Sequence, residues 1–163
     1  MRKSQIILMI TAIVIIIVSV SAGTGHYILD RFFTINAGWR MNWGLEVPKP
    51  NQSKSVIENV ASFNGDGEFF NISTYSGKKI NSFIKNKSFK EIDKNSLIKL
   101  EGYISNFDEG LQSIRGGNNY LQDNPVIFKQ GDLYLYKKKD DGSYIISVVN
   151  IEQRILYTLE WLQ

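Results

Sequence analysis

Cysteine is absent from the 163 residues and histidine occurs once, as His26. Without a thiol there is no disulfide, thiolate nucleophile, thiolate-held zinc or iron–sulfur cluster, and no cysteine after the leader to carry a lipid. A single imidazole cannot build a multi-histidine metal site, and any Ser-His-Asp arrangement would depend on His26 alone. His26 lies near the end of the uncharged stretch that holds the apolar segment, so it reads as a solvated residue at a membrane boundary rather than as a pH sensor. An excess of one charge is missing as well. Lys and Arg number 19 against 16 acids, and setting aside Arg2 and Lys3 leaves 17 against 16. The folded part is therefore close to neutral and carries no nucleic-acid footprint, so no nucleic-acid partner is expected. Repeats and low-complexity runs are absent too, and Gly116-Gly117-Asn118-Asn119 lacks the Lys-Ser or Lys-Thr pair of a phosphate cradle.

What is present begins with Ile6 to Val18, IILMITAIVIIIV, inside a stretch without charge between Lys3 and Asp30. Extended to Leu29, the stretch exceeds the roughly 20 residues needed to cross a bilayer. Its aliphatic residues at roughly −0.3 to −0.6 kcal/mol each favour insertion by several kcal/mol in sum. Arg2 and Lys3 stay in the cytoplasm by the positive-inside rule, which gives a single-pass plasma-membrane anchor with the N-terminus in and the C-terminus out. The competing reading is a signal peptide cleaved after Ala22, where Val20-Ser21-Ala22 places small residues suitably, and a secreted product. Tyr27, Phe32 and Phe33 suit an interfacial aromatic belt and favour the retained anchor.

The chain is expected to divide into a cytoplasmic tip and anchor over 1–29, a juxtamembrane stalk over 30–55 and an extracytoplasmic domain over 56–163. Gly38 to Gly44 alternates apolar and polar side chains and reads as a short strand or a membrane-lying stretch. Pro48 and Pro50 then favour an extended connection between Val47 and Ser55. Val56 to Phe63, Asn64-Gly65-Asp66-Gly67 and Glu68 to Tyr75 read as a β-hairpin. Asn64, Asp66 and Glu68 alternate oxygen ligands around glycines, but the calcium-loop pattern is incomplete and a turn is the better reading.

Ile80, Phe83 and Ile84 predict a short amphipathic helix over 78–86. Leu97, Leu100, Ile104, Phe107, Leu111 and Ile114 predict a longer one, capped near Asp93, Asn95 or Ser96 and closed by Gly116-Gly117. Gly110 costs that helix about 1 kcal/mol and offers an earlier stop. The stripe is too short for a stable coiled-coil seam and reads as a core-facing helix. Leu133 to Tyr136, Ser143 to Val149 and Arg154 to Leu162 predict an antiparallel meander. Its middle run, apolar on both faces, belongs at the sheet centre. The sum is an α+β domain, one antiparallel sheet covered on one face by two helices.

This layout, with a basic start, an Ile-rich anchor, the Asn64 to Gly67 hairpin, the Leu97 to Ile114 helix and aromatic C-terminal strands, resembles the small exported or membrane-anchored proteins of Gram-positive bacteria. The resemblance implies cell-envelope placement and carries over no functional residue.

Carboxylates are the remaining catalytic currency. Asp108-Glu109 falls on the outer side of the long helix and Asp140-Asp141-Gly142 has the composition of a hairpin tip, so both pairs read as solvated structure. Lys137-Lys138-Lys139 beside them reads as a solubilising tip rather than a headgroup site. No catalytic, cofactor-binding or metal-binding residue is assigned and no cofactor is expected. The expected function is non-enzymatic: a tethered external module that binds a protein or envelope component, of which an immunity-like interception of a toxin is one form. The alternatives are a carboxylate-based hydrolase of the envelope and an accessory subunit of a membrane complex.

Overall fold

The computed structural model describes residues 35–60, 66–115 and 120–163. The apolar run from Ile6, His26 and the Asn64-Gly65 turn lie outside the described residues. Two compact units divide the chain, one ending at Glu46 and the other running from Val47 to Gln163.

Within the first unit, Ile35–Trp43 is an α-helix, α1. The alternation over Gly38 to Gly44 thus belongs to a helix and not to a strand. Trp39 and Trp43 are four apart, a spacing that puts two side chains on one side under either periodicity. Met41 is the residue that separates the readings. Strand alternation would align it with the tryptophans, whereas it is 69% exposed while Trp39 and Trp43 are buried. The helix stops at Gly44, whose φ of 60° suits glycine. There the Gly44 N–H reaches the Arg40 carbonyl at 3.0 Å and the Leu45 N–H reaches that of Trp39 at 3.2 Å.

The second unit is α+β, built on one six-stranded antiparallel sheet. Its strands are β1 (Gln52–Val60), β2 (Gly67–Thr74), β3 (Lys90–Glu91), β4 (Leu133–Lys138), β5 (Tyr144–Asn150) and β6 (Ile155–Leu162), ordered β1-β2-β6-β5-β4-β3. β1 pairs with β2 as the alternation predicts, but it begins at Gln52, inside the expected stalk, with a register shift between Ser55 and Ile57. The apolar run of β5 lies at the centre of the order, beside β6.

Among the described residues three helices join the strands: α2 (Gly77–Ile84), α3 (Lys94–Arg115) and the single turn α4 (Tyr120–Asp123). α3 starts at a reciprocal cap. The Ser96 N–H donates to Asp93 Oδ1 at 2.7 Å, and the Asp93 N–H donates to Ser96 Oγ at 2.8 Å. The amide of the cap residue and one orphan amide of the first turn are satisfied this way. Leu100, Phe107 and Leu111 of the predicted stripe are buried against Phe70, Ile146, Val148 and Leu159 of the sheet, whereas Ile114, in the last turn, is 55% exposed.

The helix runs through Gly110 instead of stopping there. A Cβ at that position would stand 2.8 Å from the Trp161 ring, so the glycine lets helix and sheet approach.

Alternation along β5 and β6 sends Ile146, Val148, Tyr157 and Leu159 to the α3 side, and Ser147 and Thr158 to the other. That second side holds a polar row. Asn71, Thr158 and Ser147 are direct cross-strand neighbours and all are buried. The Ser147 and Thr158 hydroxyls have no hydrogen-bond partner among the described residues.

Candidate functional site

A cleft of about 190 Å³ opens between α3 and the β3–β4 edge, lined by Ser88, Lys90, Lys99, Tyr103, Tyr134, Leu135 and Tyr136. Lys99 and Tyr103 are one helical turn apart, so both lie on the flank of α3 that faces this edge. Tyr134 and Tyr136 are two apart in β4 and point to the same sheet face, the one α3 packs on.

The Tyr103 and Tyr136 rings stack with centroids 4.0 Å apart and planes at 11°. Tyr136 leans on Tyr144 at 6.3 Å, and Tyr144 lies parallel to Trp161 at 6.2 Å. Phe107 meets both Tyr144 and Trp161 edge-on, at 6.4 and 6.3 Å. A row of rings thus runs from the mouth of the cleft into the core. Each contact is worth roughly 0.5–1.5 kcal/mol beyond its buried area, which makes the wall of the cleft stiff.

The chemistry of the cleft is neutral inside and cationic at the rim. Burial pushes the Tyr136 phenol up, with Tyr103 adding to it. Burial, then Tyr136, then Glu68 push the Tyr144 phenol up to about 12. Both therefore stay protonated at neutral pH. Lys90 and Lys99 are exposed at the rim. A volume of about 190 Å³ is below the roughly 300–1,000 Å³ of pockets that engulf a drug-sized ligand. The cleft fits one side chain or a small group of a larger partner.

The carboxylates do not converge on it. Asp108 accepts from Gln112 Nε2 at 2.8 Å and Glu109 from Ser105 Oγ at 3.1 Å, both along the surface of α3. Asp141 sits in the β4–β5 turn and accepts from the Ser143 N–H at 2.8 Å. That bond, followed by the Ser143 hydroxyl, holds its carboxyl below the usual range.

Asp132, 2% exposed, resembles a catalytic acid by burial, yet its oxygens accept from the Lys129 and Ile151 N–H groups, both at 2.9 Å. It ties two turns together. Among the described residues no group of three or more His, Asp or Glu side chains could hold a metal ion, and no helix is long and apolar enough to cross a membrane.

A second, shallower groove of about 310 Å³ lies on the other flank of α3, with an apolar floor of Ile104, Leu121 and Phe128 and an acidic rim of Glu101 and Asp108. Neither groove was identified from the sequence. The one advance signal for the first was the paired tyrosines in Leu133-Tyr-Leu-Tyr136. Comparison of the chain with protein-family models, with curated proteins and with solved structures yields no match.

Proposed function

We propose that the chain is a non-enzymatic binding module, tethered by a transmembrane helix over 6–29 with its folded domain outside the membrane. It recognises a protein or envelope component, and interception of a toxin at the cell surface is one form such recognition takes. The observation that carries the reading is the cleft, a stiff tyrosine wall rimmed by Lys90 and Lys99, with a volume suited to an anchoring group of a macromolecule. Tyrosine supplies large contact area at low entropy cost and is enriched where partners dock. Tethering keeps the domain concentrated at the surface where its partner arrives.

The test immobilises the full-length chain in mild detergent and passes surface extracts over it, with Lys99→Glu and Tyr103→Ala as paired controls. The reading expects a component retained by the natural chain and released by both variants. Equal retention by all three chains would overturn it.

A further inference from the structure

Resting on that reading, we propose that the open stretch of β4, Tyr136 to Lys138, accepts an extended acidic peptide as an added strand in line with β3. β3 covers only Leu133 and Tyr134 of β4, whereas β5 pairs with all six residues from Leu133 to Lys138. The side to which each β4 residue turns its backbone follows from two bonds. The Lys139 N–H reaches the Ser143 carbonyl at 2.8 Å on the β5 side, and on the β3 side the Ile92 N–H reaches the Asp132 carbonyl at 2.7 Å. In an antiparallel ladder the direction alternates, so odd-numbered β4 residues bond toward β5 and even-numbered ones away from it. Tyr136 and Lys138 therefore present their N–H and C=O groups to an edge that no strand among the described residues covers.

β3 cannot lengthen to cover them. The Phe89 N–H is bonded to the Asn86 carbonyl and the Ser88 N–H to Asn86 Oδ1, each at 3.0 Å, which turns the chain away just before Lys90. The gap left by that turn adjoins the cleft, so a strand laid along Tyr136 to Lys138 would bring one of its side chains onto the Tyr103–Tyr136 wall. Strand addition of this type takes affinity from main-chain bonds and selectivity from a side-chain pocket.

Charge decides the class of peptide. Lys90, Lys99 and Lys138 surround the gap and are all exposed, and Glu91 points to the opposite sheet face from Lys90. A second copy of the same edge would set lysine against lysine, the device by which edge strands avoid self-association. An acidic strand meets the opposite situation. The other sheet edge, β1, is less suited: its register shifts between Ser55 and Ile57, and the Lys54 ammonium donates to Asn124 Oδ1 at 2.7 Å across its end.

The experiment uses the full-length chain in detergent and a fluorescent, end-blocked short peptide alternating glutamate and valine, titrated by anisotropy. A lysine–valine peptide of the same length is the charge control, and a glutamate–valine peptide with alternate amides N-methylated is the backbone control. Each control peptide is expected to bind at least about tenfold more weakly. Lys138→Ala removes the lysine charge alone and Lys138→Pro removes the charge together with the outward N–H, so the proline chain is expected to bind the acidic peptide about tenfold more weakly than the alanine chain at an unchanged unfolding midpoint. Amide exchange at Tyr136 and Lys138 is expected to slow when the acidic peptide is bound.

Absence of binding, equal binding of the acidic and basic peptides, or full affinity of the N-methylated peptide would each overturn the proposal. Should Lys138→Pro unfold, the N-methylated peptide makes the same discrimination on the natural chain. A failure here leaves the extract experiment untouched, because that experiment reads Lys99 and Tyr103 against any surface component.

Discussion

Replacing Gly110 by alanine sets two effects of opposite sign against each other. In the interior of a helix alanine is favoured over glycine by about 1 kcal/mol. A Cβ at Gly110 would, however, stand 2.8 and 3.0 Å from two carbons of the Trp161 ring, against a van der Waals optimum of roughly 3.5–4.0 Å. The ring has little room to retreat, since Tyr144 lies parallel to it and Phe107 meets it edge-on. Overpacking of this kind costs about 1–3 kcal/mol, and the braced ring puts the cost in the upper half of that range. Gly110→Ala is therefore expected to lose about 1 kcal/mol net. With a urea dependence of about 2 kcal/mol per molar, the unfolding midpoint falls by about 0.5 M. In a Trp161→Ala background the clash is gone and the same substitution is expected to raise the midpoint. The assay is urea unfolding of the four chains followed by far-UV circular dichroism. A Gly110→Ala chain more stable than its parent, or a change of the same sign in both backgrounds, would refute the reasoning.

Other outcomes follow from the buried polar groups and the helix cap. Thr158→Val replaces a buried hydroxyl that has no partner among the described residues and is expected to gain about 1 kcal/mol in urea unfolding; a loss would show that the hydroxyl is satisfied. Asp132→Ala strands the Lys129 and Ile151 amides and is expected to cost about 3 kcal/mol in the same assay, with Asp132→Asn costing less because its remaining carbonyl oxygen still accepts. The Ser96 hydroxyl and the Ser96 N–H together hold the Asp93 carboxyl below its ordinary value of 3.8. A depressed acid contributes stability above its unfolded-state value and loses it as pH falls through the folded one. Amides in the first turn of α3 are therefore expected to lose protection as pH drops below about 4, and Asp93→Asn, which caps without titrating, should flatten that dependence.

The sheet and the long helix were legible because each is written in one period. Leu100, Phe107 and Leu111 follow helical spacing, and the β4–β5–β6 meander alternates, or is apolar throughout, between turn residues. Asp93, Asn95 and Ser96 were alternative caps by residue type, and only the structure pairs Asp93 with Ser96. The strand reading of Gly38 to Gly44 failed since a separation of four residues satisfies both periods, and only the exposure of Met41 tells them apart. Gly110 was open to misreading for another reason: its cost is local, while its purpose is the ring of Trp161, 51 positions along the chain.

The cleft and the open edge were not legible at all. They depend on β3 being two residues long and on Asn86 turning the chain away, which no pattern in the chain announces. Ser147 falls in the run expected at the sheet centre, but the buried row it forms with Thr158 and Asn71 was hidden, because it depends on cross-strand register.

The proposed role requires the folded domain to be displayed beyond the membrane, where a partner can reach it. The direct measurement is protease digestion of a reporter fused after Gln163, in intact spheroplasts and after lysis. Digestion by external protease while the membrane is whole is the predicted result; a reporter shielded until lysis would contradict it.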